Sequence, residues 1–405
     1  MQLFTGKQYL QMDIAGCYGL DNKEWDVRLA WFDKHKDDLM SMMVTAKEPA
    51  LYFAAVMAWQ DVLAGKPSGY PISLDATCSG MQLLACLTGD RMAALLCNVI
   101  STGMREDAYT SLYHSMLTAV NQDISSGLIT RAKTKDAILT SLYGSKAIPE
   151  RVFGKGLLLS AFHNVMETEV PAVWELNKTY LAIWDPERLV YSWVLPDNFH
   201  VQIKVMGQVT DSVNFCDVPY DVHTQVNMPV EEGRSLGANT THSIDGMIVR
   251  EMVRRCNYNP ARINAVGRAM RKPMIHVPVT MDADAEMVDI LMKHYRDTGY
   301  LSARILDHIQ PDNVWIIGDD KGAVWELLNS LPAKPFEVIT IHDCFRCLPN
   351  YGNDLRKQYN RQLFEIARSD ILSSLFTQLL GRKASIGKMD PEMYKEIPFA
   401  EYALS

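Results

Sequence analysis

The sequence predicts a mostly helical α+β fold, on two observations. Apolar residues recur at helical spacing over long stretches, whereas β-branched and aromatic residues cluster in a few short runs bounded by turn residues. The helical signal opens between residues 25 and 64, where Leu29, Phe32, Leu39 and Met43, then Tyr52, Phe53, Val56 and Met57, mark core-facing helices. GKPSGYP at 65–71 is a turn by its glycines and prolines, and the run PISLD reads as a strand that delivers Asp75 to its end, with a helix from 79 to 87 after it. Residues 130–144 read as a further helix closed by Gly144. WVLPDNFHVQIKV at 193–205 reads as strand, turn, strand, and FEVITIHDCFRCLP at 336–349 as a hairpin with His342 and Asp343 at its bend. No internal repeat or low-complexity segment interrupts the chain, so one interwoven unit is expected.

Composition narrows the class. With 405 residues, 48 per cent of them hydrophobic and 22 per cent charged, the chain has material for a core of more than one subdomain. It carries neither a membrane-length apolar stretch nor a basic-then-apolar leader, which places it in a cytoplasm. Its eight cysteines are scattered singly except Cys344 and Cys347, and read as reduced thiols. CFRC at 344–347 has zinc-like spacing without a second pair nearby, so buried thiols are expected there. The acidic series Asp282, Asp284, Glu286 and Asp289 reads as the negative start of a solvated helix. A net charge of −8 argues against a generic polyanion binder, yet seven basic residues and one acid lie between Arg250 and Lys272. That run is either a phosphate-facing surface or a solvated helix face.

Three segments carry chemistry. In DATCSGMQ (75–82) small residues leave space beside a strand-end carboxylate, which suits a metal with its substrate, although such aspartates commonly cap helices. In RAKTKDAILTSLYG (131–144), Arg131, Lys135, Leu139 and Tyr143 fall four apart and form one stripe about 18 Å long, the length of a nucleoside triphosphate. A solvated basic edge is the ordinary alternative. IHDCF (341–345) sets a second carboxylate on a tight hairpin, which suits Mg²⁺. The order of the three in one chain is more telling than any of them alone.

With these residues in place, the sequence resembles the single-subunit RNA polymerases of phages and mitochondria, relatives of family A DNA polymerases. Asp75 with CSG looks like that family's motif A; Arg131, Lys135 and TSLYGSK (140–146) look like motif B; and His342 with Asp343 looks like motif C. WVLPDNF (193–199) and THSIDG (241–246) are family-like, with His242 in the place of a histidine near the nascent base pair, and Tyr109 matches a tyrosine near the substrate or else packs in the fingers. Gln11 stands where the family has a triphosphate-contacting lysine. The resemblance implies a right-hand fold: palm at 1–95 and 246–405, fingers at 96–245, and an insertion at about 257–335. It also implies that the thumb, the N-terminal domain and a D-x-x-G-R-type motif come from a second polypeptide, as in the larger subunit of the two-chain polymerase of some podophages.

By the same resemblance, Asp75, the backbone of Ala76 and Asp343 would hold two Mg²⁺ ions, Lys135 would sit at the α- and β-phosphates, and Arg131 would sit at the γ-phosphate. Gly80 and Leu139 replace the glutamate gate and the aromatic of DNA-making relatives, leaving room for a ribose hydroxyl that Tyr143 would meet, while His342 would border the substrate. DNA template, RNA product and nucleoside triphosphates are the implied partners. The region at about 200–235 lies where the family reads promoters and is not especially basic, which points to accessory proteins in promoter choice. The rivals are a DNA polymerase of the same superfamily and a non-catalytic nucleic-acid-binding scaffold. A metal-dependent hydrolase lacks the second histidine-aspartate set it would need.

Overall fold

A computed structural model of the chain describes residues 1–120, 129–231, 233, 235–272 and 281–405. Among these residues helices dominate, and seven strands form three small antiparallel sheets. β1 (Ile72–Asp75), β6 (Ile339–Ile341) and β7 (Cys344–Cys347) form the first, in the order β1-β7-β6. β2 (Val190–Val194) pairs with β3 (His200–Lys204), and β4 (Met206–Phe215) with β5 (Val218–Asn227). The predicted strand after the turn, the 193–205 hairpin and the 336–349 hairpin are therefore all present.

β1 is short but has neighbours on both edges. β7 occupies one edge, with Asp75 opposite Cys344, and residues 403–405 occupy the other. There the amide of Ser405 donates to the Asp75 carbonyl at 2.8 Å, and Ala76 bridges to Leu404. Underneath, the buried carboxylate of Asp13 accepts from the Ser73 amide at 2.9 Å and the Tyr70 hydroxyl at 2.7 Å.

The main apolar core packs the helices Ser79–Thr88 and Gly352–Arg368 against each other and against helix Ser235–Cys256. Gln82 is fully buried at the crossing. Its amide nitrogen donates to Thr77 Oγ1 and to the carbonyls of Cys97 and Ala403 at 2.9–3.1 Å, and its oxygen accepts from the Tyr359 hydroxyl at 2.7 Å. A second, separate core is built from Val266, Leu291, Met292, Ile305, Ile317 and Val324, all within the 257–335 segment.

The two cores meet at buried polar clamps. Arg250 and Arg254 pair with the buried carboxylate of Asp197 at 2.6 and 3.3 Å, and Arg304 donates to the Asp197 carbonyl at 2.9 Å. Glu251, buried in the same helix, accepts from the amide of Ala303 at 2.7 Å. Arg255 is buried as well and donates to Gln358 at 2.8 Å. Three of the seven cations between Arg250 and Lys272 thus hold the fold together, and the run does not form a single phosphate-facing surface.

One further difference stands out. Phe53 and Met57, expected inside, are 41 and 40 per cent exposed. Helix Pro49–Leu63 is apolar on all sides and buries only the face of Tyr52, Ala55, Val56 and Trp59, leaving those two a turn apart on the outer face. The expected boundary at 245/246 falls inside helix Ser235–Cys256, which runs through it without a break. The acidic series does start a helix: Asp282 caps Ala283–Thr298 by accepting from the Ala285 amide at 2.8 Å.

Candidate active site

Asp75 ends β1, and Asp343 sits in the turn between β6 and β7. The strands pair so that Asp75 faces Cys344, and the amide of Ala76 donates to the Asp343 carbonyl at 3.1 Å. The two aspartates therefore lie at the same end of the sheet, with backbones one position out of register across the β1–β7 pairing. Asp75 is exposed at this edge, and Asp343 is half-buried. Both bends use a left-handed residue without being glycine, His342 at φ 54° and Cys78 at φ 69°. Such conformations are strained and gather at functional sites. His342 itself is exposed.

Helix Arg131–Leu142 lies across the opening, started by Thr130, whose hydroxyl accepts from the Lys133 amide at 3.3 Å. Lys135 sits 5.1 Å from the ring centre of Tyr109, whose hydroxyl shares a 2.9 Å hydrogen bond with the Cys78 thiol. Arg131 projects from the first turn and is tied to Asp107 and Thr110, donating to the Thr110 hydroxyl at 2.7 Å. Asp107 also caps helix Ala108–Ala119, a starting signal legible in EDAYTSLY although its ion pair was not.

Tyr143 ends the helix with its ring 4.8 Å from that of His242 and its hydroxyl against Gly80. A Cβ at position 80 would lie 2.2 Å from that hydroxyl, so any larger residue there would displace the phenol. Burial, together with the negative groups Cys78, Asp245 and Asp343, pushes the Tyr143 phenol up to about 12, so it remains a neutral donor at neutral pH. Leu139 lies half-buried on the same stripe.

Sequence reading passed over Asp245 as a site residue. It lies three residues after His242 on helix Ser235–Cys256, one turn along the same face. Burial first, and then the charge of Asp343, push its carboxyl up to about 6, with His342 acting in the opposite sense. Of the CFRC pair, Cys344 faces Asp75, and its thiol is pushed up to about 12 chiefly by burial, whereas Cys347 is buried. Three apart on a strand, the two side chains point to opposite faces and cannot grip one ion.

Among the described residues, no three or more His, Cys, Asp or Glu side chains are grouped as a metal centre. Aspartates such as Asp75 and Asp343 are the ligand type that magnesium takes when it completes its shell with water and phosphate oxygens. The Ala76 carbonyl already accepts from the Cys78 amide at 3.1 Å and keeps its second lone pair.

Residues 4–161 match the family of DNA-dependent RNA polymerases. Over 331 residues the chain is 20 per cent identical to the DNA-directed RNA polymerase of Pseudomonas phage phiKMV, covering 65 per cent of this chain and 40 per cent of that one. The mitochondrial DNA-directed RNA polymerase 1 of Arabidopsis thaliana is 23 per cent identical over 172 residues, covering 35 and 18 per cent, and a probable DNA-directed RNA polymerase of Neurospora crassa is 28 per cent identical over 126 residues, covering 29 and 14 per cent. Over these stretches the chain is similar to RNA polymerases of a phage, a plant mitochondrion and a fungus. It spans less than half the length of those relatives. The segment matched by the RNA polymerase family model holds Asp75, Tyr109, Arg131, Lys135 and Tyr143, and the fold adds Asp343, His242 and Asp245 from outside it. No helix among the described residues is long and apolar enough to cross a membrane.

Proposed function

We propose that this chain carries the catalytic centre of a DNA-directed RNA polymerase, a nucleotidyltransferase that extends RNA from ribonucleoside triphosphates on a DNA template. The observation that carries the reading is the ladder contact that sets Asp75 beside Asp343. Asp75 and Asp343, with the Ala76 carbonyl, are the groups that would hold two Mg²⁺ ions. When bound, such ions neutralise triphosphate charge and lower the pKa of the attacking 3′-hydroxyl.

The remaining work falls to the chain's own side chains. Lys135, at the mouth of the site, supplies a cation for the α- and β-phosphates, and Arg131 supplies one for the γ-phosphate once it exchanges Asp107 for the substrate. Tyr143 offers a neutral hydroxyl at the sugar edge, with the His242 ring tilted against it and Gly80 leaving room for that hydroxyl. A ribose hydroxyl would satisfy that donor, whereas a deoxyribose would leave it unpaired. Tyr109 positions Lys135, and His342 borders the site from the hairpin. In this reading residues 1–95 and 246–405 form the palm around the first sheet, residues 96–245 form the fingers, and the second core is an insertion in the palm. The parts of such an enzyme not present in these residues are supplied elsewhere, in a longer polypeptide or by a partner chain.

Extension of an RNA primer on a DNA template, assayed with the chain in its complete assembly, tests the reading. Asp343→Asn and Asp75→Asn should each lower extension on the order of a thousandfold or more while template affinity persists. Unchanged extension in Asp343→Asn would leave the scaffold reading standing.

A further inference from the structure

The β4–β5 ribbon stands clear of both cores, and nearly every residue in it is exposed. Its register pairs Val209 with Thr224, Asp211 with Val222, Val213 with Tyr220 and Phe215 with Val218. Alternation along a strand then puts Val209, Val213 and Phe215 on one face together with Val218, Tyr220 and Val222. These six are 37–69 per cent exposed. The other face is polar and closes on itself, with Thr210 bonded to His223 at 2.9 Å and Ser212 to Asp221 at 2.6 Å. An antiparallel ribbon normally turns its apolar face to a core and its polar face to water. Here nothing among the described residues covers the apolar face, although the base of the ribbon is anchored by Asn227 to the carbonyls of Leu189 and Val205 at 2.9 and 2.7 Å.

Charge selects the kind of cover. Asp211 lies in the middle of the apolar face, Asp217 lies at the tip, and residues 206–227 contain no lysine or arginine. Phosphate backbones and anionic lipid surfaces are repelled by such a ribbon, and a second copy would bring acid against acid with no cation to answer it. We propose that this face docks a second protein whose contact strip is apolar and carries a lysine or arginine against Asp211. The ribbon face is roughly 300 Å², from ten residues per strand and the usual strand spacing. Stable interfaces bury about 800 Å² per partner. The partner must therefore wrap the ribbon, or bind it weakly. The inference is independent of the roles given to Asp75 and Asp343.

Two synthetic amphipathic peptides, one of leucine and lysine and one of leucine and glutamate, probe the surface against the full chain by fluorescence anisotropy. The lysine peptide should bind, and Val213→Thr with Val222→Thr, which keeps strand propensity, should weaken it at least tenfold. The exposed change Asp211→Lys should weaken the lysine peptide and admit the glutamate one, whereas Gln208→Ala with Gln225→Ala on the opposite face should alter neither. Binding of the lysine peptide that survives both apolar-face changes, or equal binding of the two peptides by the unaltered chain, would overturn the proposal. So would a dimer seen by sedimentation that Val213→Thr with Val222→Thr dissolves, or duplex-DNA affinity lost in that same variant, since each assigns the face to another occupant.

Discussion

Gly80 and Tyr143 are in such close contact that a single methyl group would decide where the phenol rests. In Gly80→Ala the hydroxyl must give way, because it is the far end of a side chain and the helix backbone is not. Preference for ribo- over deoxyribonucleotides should fall about tenfold, read by extension with each sugar in turn, with little change in melting temperature. Asp245 offers a test by pH. Its folded carboxyl titrates near 6 against an ordinary 3.8, so between those values the folded chain holds a proton that the unfolded chain has released. Stability of the chain in a chelator should therefore fall as pH rises from 4 to 6, by about 1–3 kcal/mol for this group. Asp245→Asn should remove that slope and be the more stable form at pH 7, as urea unfolding at several pH values would report.

At the scale of elements, Gln82 joins the turn after β1, residue 403 and helix Gly352–Arg368 through one buried amide. Gln82→Leu fills the same space but leaves the Tyr359 hydroxyl without its acceptor, while the carbonyls of Cys97 and Ala403 keep Thr77 as donor, a cost of about 1–3 kcal/mol in urea unfolding. Much of this region was legible in the sequence. The strand before Asp75, the 339–347 hairpin and the helix with Arg131, Lys135 and Tyr143 each announce themselves through local period, β-branched runs or capping residues. Asp245, the Arg131–Asp107 pair, Gln82 and the pairing of residues 403–405 with β1 do not. Their roles come from partners remote along the chain, and no periodic pattern encodes such a contact. Phe53 and Met57 fail in the opposite sense: helix Pro49–Leu63 is apolar on all sides, so period alone could not say which face the core would take.

For the molecule as a whole, Asp197 stands at the junction of the two cores, its carboxylate paired with Arg250 and Arg254 and its main-chain carbonyl accepting from Arg304. Asp197→Ala leaves two arginines facing each other without their common carboxylate, and breaking a buried pair of this kind costs about 3–5 kcal/mol. Hydrogen exchange should rise first across 283–330, the far side of the joint, while the first sheet stays protected. If exchange rises evenly over the chain, the second core is not a separable unit.

The double flanking of β1 has a temporal consequence. Gln82 meets Ala403 across 321 residues of chain, and β1 takes its neighbours from comparable distances. Contacts of such long range are slow to close and arrive late in folding. Until residues 403–405 are in place, the edge of β1 that ends at Asp75 stays open to water, so the segment that carries this aspartate is among the last parts of the fold to become rigid.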